Sequence, residues 1–288
     1  MVARRGRGCG RCRNSAYTLR LAGAGWCVGR QFSASDRGEH GLEMERAEVS
    51  LLGHREENQD RCGIVDNDGA TLMLVIDGMG GHSDGALAAQ TTLDLVGERF
   101  GAESIPLFDA PGFLHRSIGR AHDRLVQIGR AQSLEARPRA TCTICLVQDG
   151  NAFWGHVGDS RIYLIRNNKI AARTRDHSHV ELLLREGLIS EEEVHTHPMR
   201  NYVECCLGGD AVLPEMTISA RHRLEPGDLL MACSDGLWSG VSEDDIGALG
   251  GLADGELEQG LEALAQRAVD ANGPYSDNTT IAALRWRG

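Results

Sequence analysis

The chain has 288 residues, of which 41% are hydrophobic, and its formal net charge is −11 at pH 7. This length admits one large domain or two small ones, and the composition is ordinary for a globular protein with a sizeable core. Nucleic-acid binding requires clustered Lys and Arg, whereas this chain is acidic overall, so we expect no nucleic-acid partner. No segment approaches the roughly 20 apolar residues that span a bilayer, so we expect no membrane partner.

The first 43 residues differ in kind from the rest of the chain. They are rich in Gly and Arg, contain no acid before Asp36 and show no hydrophobic periodicity, which predicts an unstructured segment. Three explanations stand open: a disordered basic extension, a targeting peptide, or a translated stretch upstream of the true start. Met44 directly precedes a strand-like alternation, which favours a mis-assigned start.

The nine cysteines are odd in number and scattered along the chain. Such a pattern is typical of reduced thiols, and it predicts a cytoplasmic protein. Cys9 and Cys12 form a CxxC pair, but without a second pair or a His partner this is a weak zinc signal.

Beyond residue 43 the sequence predicts strands and helices in alternation. The apolar run over residues 70–76 indicates a buried strand that stops at Asp77-Gly78. The further predicted elements are helices over 82–100 and about 111–133, strands over 141–147, 152–157 and 161–165, a polar segment with helical tendency over 177–200, a strand over 229–233, helices from about 242 and over about 255–272, and a strand over 279–285. The three middle strands are joined by tight turns, which predicts an antiparallel meander and disfavours a parallel doubly wound sheet.

Aspartates stand at the ends of these apolar runs. Asp77 and Asp235 each follow one and precede a Gly, and Asp277 precedes the last predicted strand. A strand fixes such a carboxylate, and the Gly permits a tight turn that exposes a carbonyl oxygen. Converging aspartates repel one another unless a cation neutralises them, and oxygen-only ligands favour Mg²⁺, Mn²⁺ or Ca²⁺ over zinc. Each motif alone is better explained as a turn, because Asp-Gly is a common turn dipeptide.

Six segments in order resemble the metal-dependent protein serine/threonine phosphatases of the 2C type, in particular their small bacterial members. They are REENQD over 55–60, DGMGGH over 77–82, HVGDSRIY over 156–163, TRDH over 174–177, SDG over 234–236 and SDNTT over 276–280. The resemblance covers essentially all of residues 44–288 and implies one catalytic domain there, with a flap insert at about 176–209. It implies an α+β fold, a four-layer αββα sandwich of two mostly antiparallel sheets flanked by helix pairs.

The resemblance also implies a set of metal ligands for two or three Mg²⁺ or Mn²⁺ ions. Asp77 matches the carboxylate that bridges two ions, and the Gly78 carbonyl matches a ligand of one of them. The other matching ligands are Asp235 and Asp277 for the first ion, Asp60 for the second, and Asp159 with Asp235 for a third. Gln59 stands where many eukaryotic relatives have a Glu, and a neutral amide is a weaker ligand, so we expect lower affinity for the second ion.

Two further residues match the family's chemistry. Arg55 offers a planar fork suited to binding the substrate phosphate. His82 matches the general acid that protonates the leaving oxygen, with an ordinary pKa of about 6.5; otherwise it is only a residue at a helix start, beside Ser83 and Asp84. We expect His156 to be a packed residue, and His195 and His197 lack a third ligand for a metal site.

The resulting functional hypothesis is a protein serine/threonine phosphatase that hydrolyses phosphoserine and phosphothreonine through a water bridging two ions. Its expected partners are phosphorylated proteins, including a bacterial Ser/Thr kinase and its substrates, and we expect a monomer. Two alternatives are a catalytically silent phosphoprotein-binding scaffold and a metal hydrolase for small phosphoesters. Silent relatives usually lack metal aspartates or the phosphate-binding Arg, whereas Asp77, Asp235 and Arg55 are all present here.

Overall fold

The structure is a computed structural model, and it describes residues 44–80, 84–194, 197–200 and 202–288. The predicted unstructured extension over 1–43 lies outside the described residues, as do His82 and His195. No helix in the described ranges is long and apolar enough to cross a membrane.

The described chain contains thirteen strands and seven α-helices. The strands are β1 (Met44–Leu51), β2 (Asp60–Asn67), β3 (Ala70–Met79), β4 (Arg139–Ala140), β5 (Cys142–Gln148), β6 (Asn151–Val157), β7 (Arg161–Arg166), β8 (Lys169–Arg173), β9 (Leu207–Gly208), β10 (Thr217–Ile218), β11 (His222–Arg223), β12 (Leu229–Cys233) and β13 (Thr279–Trp286). The helices are α1 (Asp84–Gly101), α2 (Ala110–Gly129), α3 (His179–Arg185), α4 (Glu191–Val194), α5 (Asp235–Trp238), α6 (Glu243–Ala248) and α7 (Leu257–Asn272). Short 3-10 turns cover Leu134–Ala136, Leu249–Gly251 and Gly273–Tyr275.

Two antiparallel sheets organise these strands. One sheet has the order β1-β13-β12-β7-β8, and the other has the order β10-β6-β5-β3-β4-β9, with β2 pairing β3 and β11 pairing β6. Every strand pair in both sheets is antiparallel. The strands from the middle of the chain are thus divided between the sheets.

Three apolar layers separate four layers of secondary structure. Alternate residues of a strand face opposite sides of a sheet, so β3 directs Leu72 and Leu74 toward α1 and α2, and Met73 and Val75 toward the other sheet. The third layer lies between the five-stranded sheet and the helices α5, α6 and α7, with Leu261 among its members. This arrangement confirms the predicted α+β fold with two antiparallel sheets and flanking helices.

Two details of the prediction are wrong. Strand β3 does not stop at Asp77, because Gly78 and Met79 continue it by pairing with Ala140 and Arg139 of β4. The middle strands do not form one meander, because β5 and β6 pair in one sheet whereas β7 pairs with β8 and β12 in the other. The chain changes sheets at Gly158, whose φ of 101° lies in the region that favours glycine.

Candidate active site

Two of the predicted ligands begin as direct neighbours across a strand pair. Asp60 is the first residue of β2, and it lies opposite Asp77 of β3. Directly opposed residues of antiparallel strands have Cβ atoms about 4.5–5.5 Å apart. Asp77 has the same side-chain parity as Met73 and Val75, so both carboxylates face the space between the sheets, at the end of the apolar layer.

The other sheet brings two more carboxylates to the same end. Asp235 is the first residue of α5, directly after β12, and Asp277 stands two residues before β13. Strands β12 and β13 pair, and the Ser234 backbone N–H donates to the Thr280 carbonyl at 3.0 Å. Asp235 and Asp277 therefore lie beyond neighbouring strands at the same end of the sheet.

A fifth carboxylate comes from the turn between β6 and β7, where the chain crosses between sheets. Asp159 is 3% exposed, and its Oδ1 atom has no hydrogen-bond partner among the described residues. Its backbone carbonyl accepts a hydrogen bond from Trp238 Nε1 at 3.0 Å, which ties this turn to helix α5. Arg161 lies over the same indole ring at 3.8 Å and holds Asp176 through two bonds of 2.8 and 2.7 Å.

The electrostatics show that these five carboxylates act on one another. Desolvation raises the pKa of Asp77 well above its ordinary value, and the charges of the other four aspartates raise it further. Desolvation is also the largest cause of the raised pKa of Asp235 and of Asp60, which reaches about 6. The pKa of Asp159 rises to about 7 through desolvation and then through repulsion by Asp176. In the absence of a cation the cluster favours protonated carboxyls.

This donor set fits a hard divalent cation by its chemistry. All the side-chain donors are carboxylate oxygens, which Mg²⁺ and Mn²⁺ prefer, and the unpartnered, buried oxygen of Asp159 is a ligand atom without a protein partner. Among the described residues, no three His, Cys, Asp or Glu side chains already have the geometry of a metal site. The site is therefore an acidic cluster in which one buried oxygen, Asp159 Oδ1, has no hydrogen-bond partner among the described residues.

Arg55 meets this cluster from the loop between β1 and β2. Its Nη2 atom donates to Asp277 Oδ2 at 2.5 Å, and its side chain is 57% exposed. A guanidinium has five N–H donors, so an ion pair of this kind leaves further donors for an anion. The predicted phosphate-binding residue is thus at the rim of the acidic cluster.

Gly78 occupies a position that admits no side chain. A Cβ atom there would overlap the Gly85 carbonyl oxygen of α1 and lie 2.7 Å from the Gln59 carbonyl oxygen. The Gly78 N–H donates to that Gln59 oxygen at 3.2 Å. The close packing of β3 between the β1–β2 loop and the start of α1 therefore requires glycine at position 78. This requirement is independent of any ligand of the Gly78 carbonyl.

The sequence reasoning assigned no role to Asn278, which orders the β1–β2 loop. Its Nδ2 atom donates to the carbonyl oxygens of Leu52 at 2.8 Å and Glu57 at 3.1 Å, and its Oδ1 atom accepts from Gln59 N at 2.8 Å. The side chain thereby fixes the loop that carries Arg55. Its place directly after Asp277, before a strand, was the available signal.

Ser234 and Thr141 are also supports that the sequence reasoning missed. Ser234 Oγ donates to Asp60 Oδ2 at 2.7 Å and accepts from the Thr280 N–H at 3.0 Å, so it joins the two sheets. Thr141 Oγ1 accepts from the Asp77 N–H at 3.1 Å and lies 2.7 Å from Ser160 Oγ. This second chain of contacts links Asp77 to the turn that carries Asp159.

Of the histidines considered in the sequence, His156 is within the described residues and His82 is not. His156 is 1% exposed, lies 2.7 Å from the Arg175 carbonyl oxygen through Nε2, and stacks on His177 with ring centroids 4.5 Å apart. It is a packed residue, as expected. His82, the proposed general acid, lies outside the described residues.

Comparisons with known proteins agree on one family. The sequence profile described as Protein phosphatase 2C matches residues 50–272. Protein phosphatase PhpP of Streptococcus pneumoniae is 31% identical over 243 residues, which are 82% of this chain and 96% of that protein.

Solved structures give the same family. The serine/threonine phosphatase of S. agalactiae superposes with a TM-score of 0.78 at 28% identity, over 85% of this chain and all of that one. The catalytic domain of the phosphatase PstP, solved in complex with 2 manganese ions, superposes with a TM-score of 0.71 at 26% identity, over 85% of this chain and 99% of that one.

Proposed function

The chain belongs to the protein phosphatase 2C family, whose named relatives are serine/threonine protein phosphatases, and from this premise we propose that it hydrolyses phosphoserine and phosphothreonine in proteins. The observation that carries the proposal is the convergence of five aspartates from both sheets beside an exposed arginine. Such a cluster gives cation affinity, and the arginine gives affinity for phosphate. We further propose a bacterial Ser/Thr kinase and its substrates as partners.

We propose that the cluster holds two Mg²⁺ or Mn²⁺ ions and a weaker third one. Asp77 would serve both principal ions, and the Gly78 carbonyl would serve one of them. Asp235 and Asp277 would complete the first ion, Asp60 would hold the second, and Asp159 with Asp235 would hold the third. When bound, such ions supply positive charge for the phosphoryl oxygens and a water nucleophile at neutral pH. The manganese-bound structure of PstP supports this assignment.

The chain's own residues position and protonate the substrate. Arg55 binds the phosphoryl oxygens with its planar fork, and its contact with Asp277 keeps that fork over the acidic cluster. Ser234 Oγ donates to Asp60 Oδ2 and so orients that carboxylate. We propose that His82 gives a proton to the leaving Ser or Thr oxygen, because an alkoxide is a poor leaving group until it is protonated.

The test is Mn²⁺-dependent release of phosphate from a phosphothreonine peptide. We expect Asp77→Asn and Asp235→Asn each to lower kcat/KM by roughly 100-fold or more, since each removes an anionic ligand. Asp149→Asn is the matched control, because it makes the same change at the exposed β5–β6 turn, and Asn tolerates the positive φ of 50° there. Equal activity in all four proteins, or activity indifferent to chelator, would refute the assignment.

We also propose that residues 44–288 form the catalytic domain, with the flap insert at about 176–209. A chain that begins at Met44 is expected to keep the Mn²⁺-dependent activity of the full chain. Marked loss on this truncation would assign residues 1–43 a role in the domain.

A further inference from the structure

A row of arginines lies on the exposed face of α2. Arg116, Arg120 and Arg124 are spaced four residues apart, so they follow one another along the helix surface. Arg116 contacts Asp109 at 3.3 Å. Arg120 and Arg124 form no ion pair within the described ranges, so their charge faces solvent.

An apolar loop runs beside this row. Leu213 lies against α2, because a Cβ atom on Gly119 would be 3.9 Å from Leu213 Cδ1. The Gly208 N–H donates to His122 Nδ1 at 3.2 Å and anchors the start of the same loop. Val212 is 73% exposed and Leu213 is 45% exposed, so two large apolar side chains stand in solvent next to the arginines.

Two more arginines border the loop on its other side. Arg137 Nη1 donates to the Gly209 carbonyl oxygen at 2.8 Å, and Arg139 Nη2 donates to the Leu134 carbonyl oxygen at 2.6 Å. These acceptors carry no formal charge, and neither arginine pairs with a carboxylate in the described part of the chain. The acids on and beside this surface are Asp109, Asp123, Glu135, Asp210 and Glu215, but among the described residues only Arg116 of the five arginines forms an ion pair with a carboxylate.

Arg139 connects this surface to the strand that carries Asp77. Arg139 of β4 lies opposite Met79 of β3 on one side and Gly208 of β9 on the other. Met79 is two residues beyond Asp77 on β3, so the Arg139 end of the surface lies near the acidic cluster. The surface also contrasts with the rest of the molecule, since residues 44–288 carry 22 basic and 38 acidic side chains.

We propose that Arg116, Arg120, Arg124, Arg137 and Arg139, together with Val212 and Leu213, form a docking surface for an acidic segment that contains an apolar residue. The segment belongs to the phosphoprotein substrate, a statement that rests on the proposed function. Charge complementarity selects the acidic residues, because an otherwise acidic molecule repels them elsewhere. The exposed Val212 and Leu213 give an apolar residue a place to be buried.

The first test compares two phosphothreonine peptides, one flanked by glutamates and a leucine, the other with glutamine and serine in their place. In the double variant Arg120→Ala, Arg124→Ala we expect KM to rise about five- to ten-fold for the acidic peptide only. KM for the neutral peptide and for para-nitrophenyl phosphate is expected to stay unchanged. The double variant Arg221→Ala, Arg223→Ala is the matched control, because it removes two exposed arginines at the far end of β6. An equal rise in KM for both peptides, or an equal effect of the control, would overturn the proposal.

The second test measures binding without catalysis. A fluorescein-labelled, unphosphorylated acidic peptide with leucine is expected to bind the full chain by fluorescence anisotropy, and to bind the Arg120→Ala, Arg124→Ala and Val212→Ser proteins more weakly. Unchanged anisotropy in these variants would overturn the docking surface alone. Equal binding of the peptide with serine in place of leucine, or of single-stranded RNA, would reduce the surface to non-specific charge and overturn it too. Absent hydrolysis with intact, arginine-dependent binding would instead refute the proposed function.

Discussion

Replacing Asn278 by alanine tests whether the β1–β2 loop is held for catalysis or only for stability. Asn278 is 5% exposed, and the change removes its three hydrogen bonds to the loop. The Gln59 N–H and the carbonyl oxygens of Leu52 and Glu57 then lose their partner. Because Arg55 and Asp60 lie on this segment, its displacement moves both the phosphate-binding group and a proposed metal ligand.

The magnitude follows from the number of lost bonds. Each net hydrogen bond contributes about 1 kcal/mol, so the free energy of unfolding is expected to fall by about 3 kcal/mol. In a domain of this size that corresponds to a decrease in Tm of roughly 6–12 °C. We also expect kcat/KM to fall by about tenfold or more and the Mn²⁺ concentration at half-maximal activity to rise, because misplaced ligands weaken binding.

Asn67→Ala is the matched control for this experiment. Asn67 Nδ2 donates to the carbonyl oxygens of Phe100 at 2.8 Å and Glu103 at 2.9 Å, at the opposite end of β2 from Asp60. Its loss is expected to lower Tm without changing the Mn²⁺ requirement. Thermal unfolding by circular dichroism and Mn²⁺ titration of phosphatase activity measure the two effects. If Asn278→Ala lowers Tm yet keeps the wild-type Mn²⁺ requirement and kcat/KM, the positioning argument is wrong.

Three further predictions concern pH and packing. Burial, followed by the charge of His177, lowers the pKa of His156 to about 4, below its unfolded value, so the free energy of unfolding is expected to fall as pH drops from about 6.5 to 4. Urea unfolding of His156→Gln should show a smaller fall over this pH range. An equal fall in the two proteins would contradict this cause. Burial raises the pKa of Asp60 to about 6, so in chelator its charge is expected to cost stability as pH rises from about 4 to 6. Asp60→Asn should then be more stable than the wild type by up to about 3 kcal/mol at pH 7.5 but not at pH 4, and a difference independent of pH would refute the cause. Gly78→Ala should lower soluble yield or Tm sharply, since its Cβ overlaps backbone atoms of α1; a wild-type Tm would show that α1 can move away.

Local signals in the sequence predicted the elements that rest on local physics. Strand β12 has the predicted bounds, because its apolar run is continuous and ends at Cys233, directly before Ser234. Helix α6 begins after Ser242, which agrees with the predicted start at about 242, and Ser242 and Asp245 form a reciprocal capping box. The switch from β6 to β7 escaped prediction, because a short turn looks the same whether the next strand joins the same sheet or the facing one.

In the candidate active site, too, residues with a local sequence signal were predicted and residues that depend on long-range contacts were not. Asp77 and Asp235 could be selected because each follows an apolar run, and all five aspartates because the motifs resemble a known family. Their supports could not, since Ser234 reaches Asp60 across 174 residues of sequence and Asn278 reaches Gln59 across 219. A hydroxyl or an amide becomes a support only when folding brings a distant backbone group to it, and no local pattern records that encounter.

Because the aspartates come from two different sheets, the distances between their carboxylates depend on the distance between the sheets. Asp60 and Asp77 move with one sheet, and Asp235 and Asp277 move with the other. Side chains such as Met73, Trp154 and Leu230, which fill the layer between the sheets, therefore set the spacing of carboxylates they never touch. If the proposed cations bind there, we expect substitutions within this apolar layer to change their affinity, although the substituted side chains are not ligands.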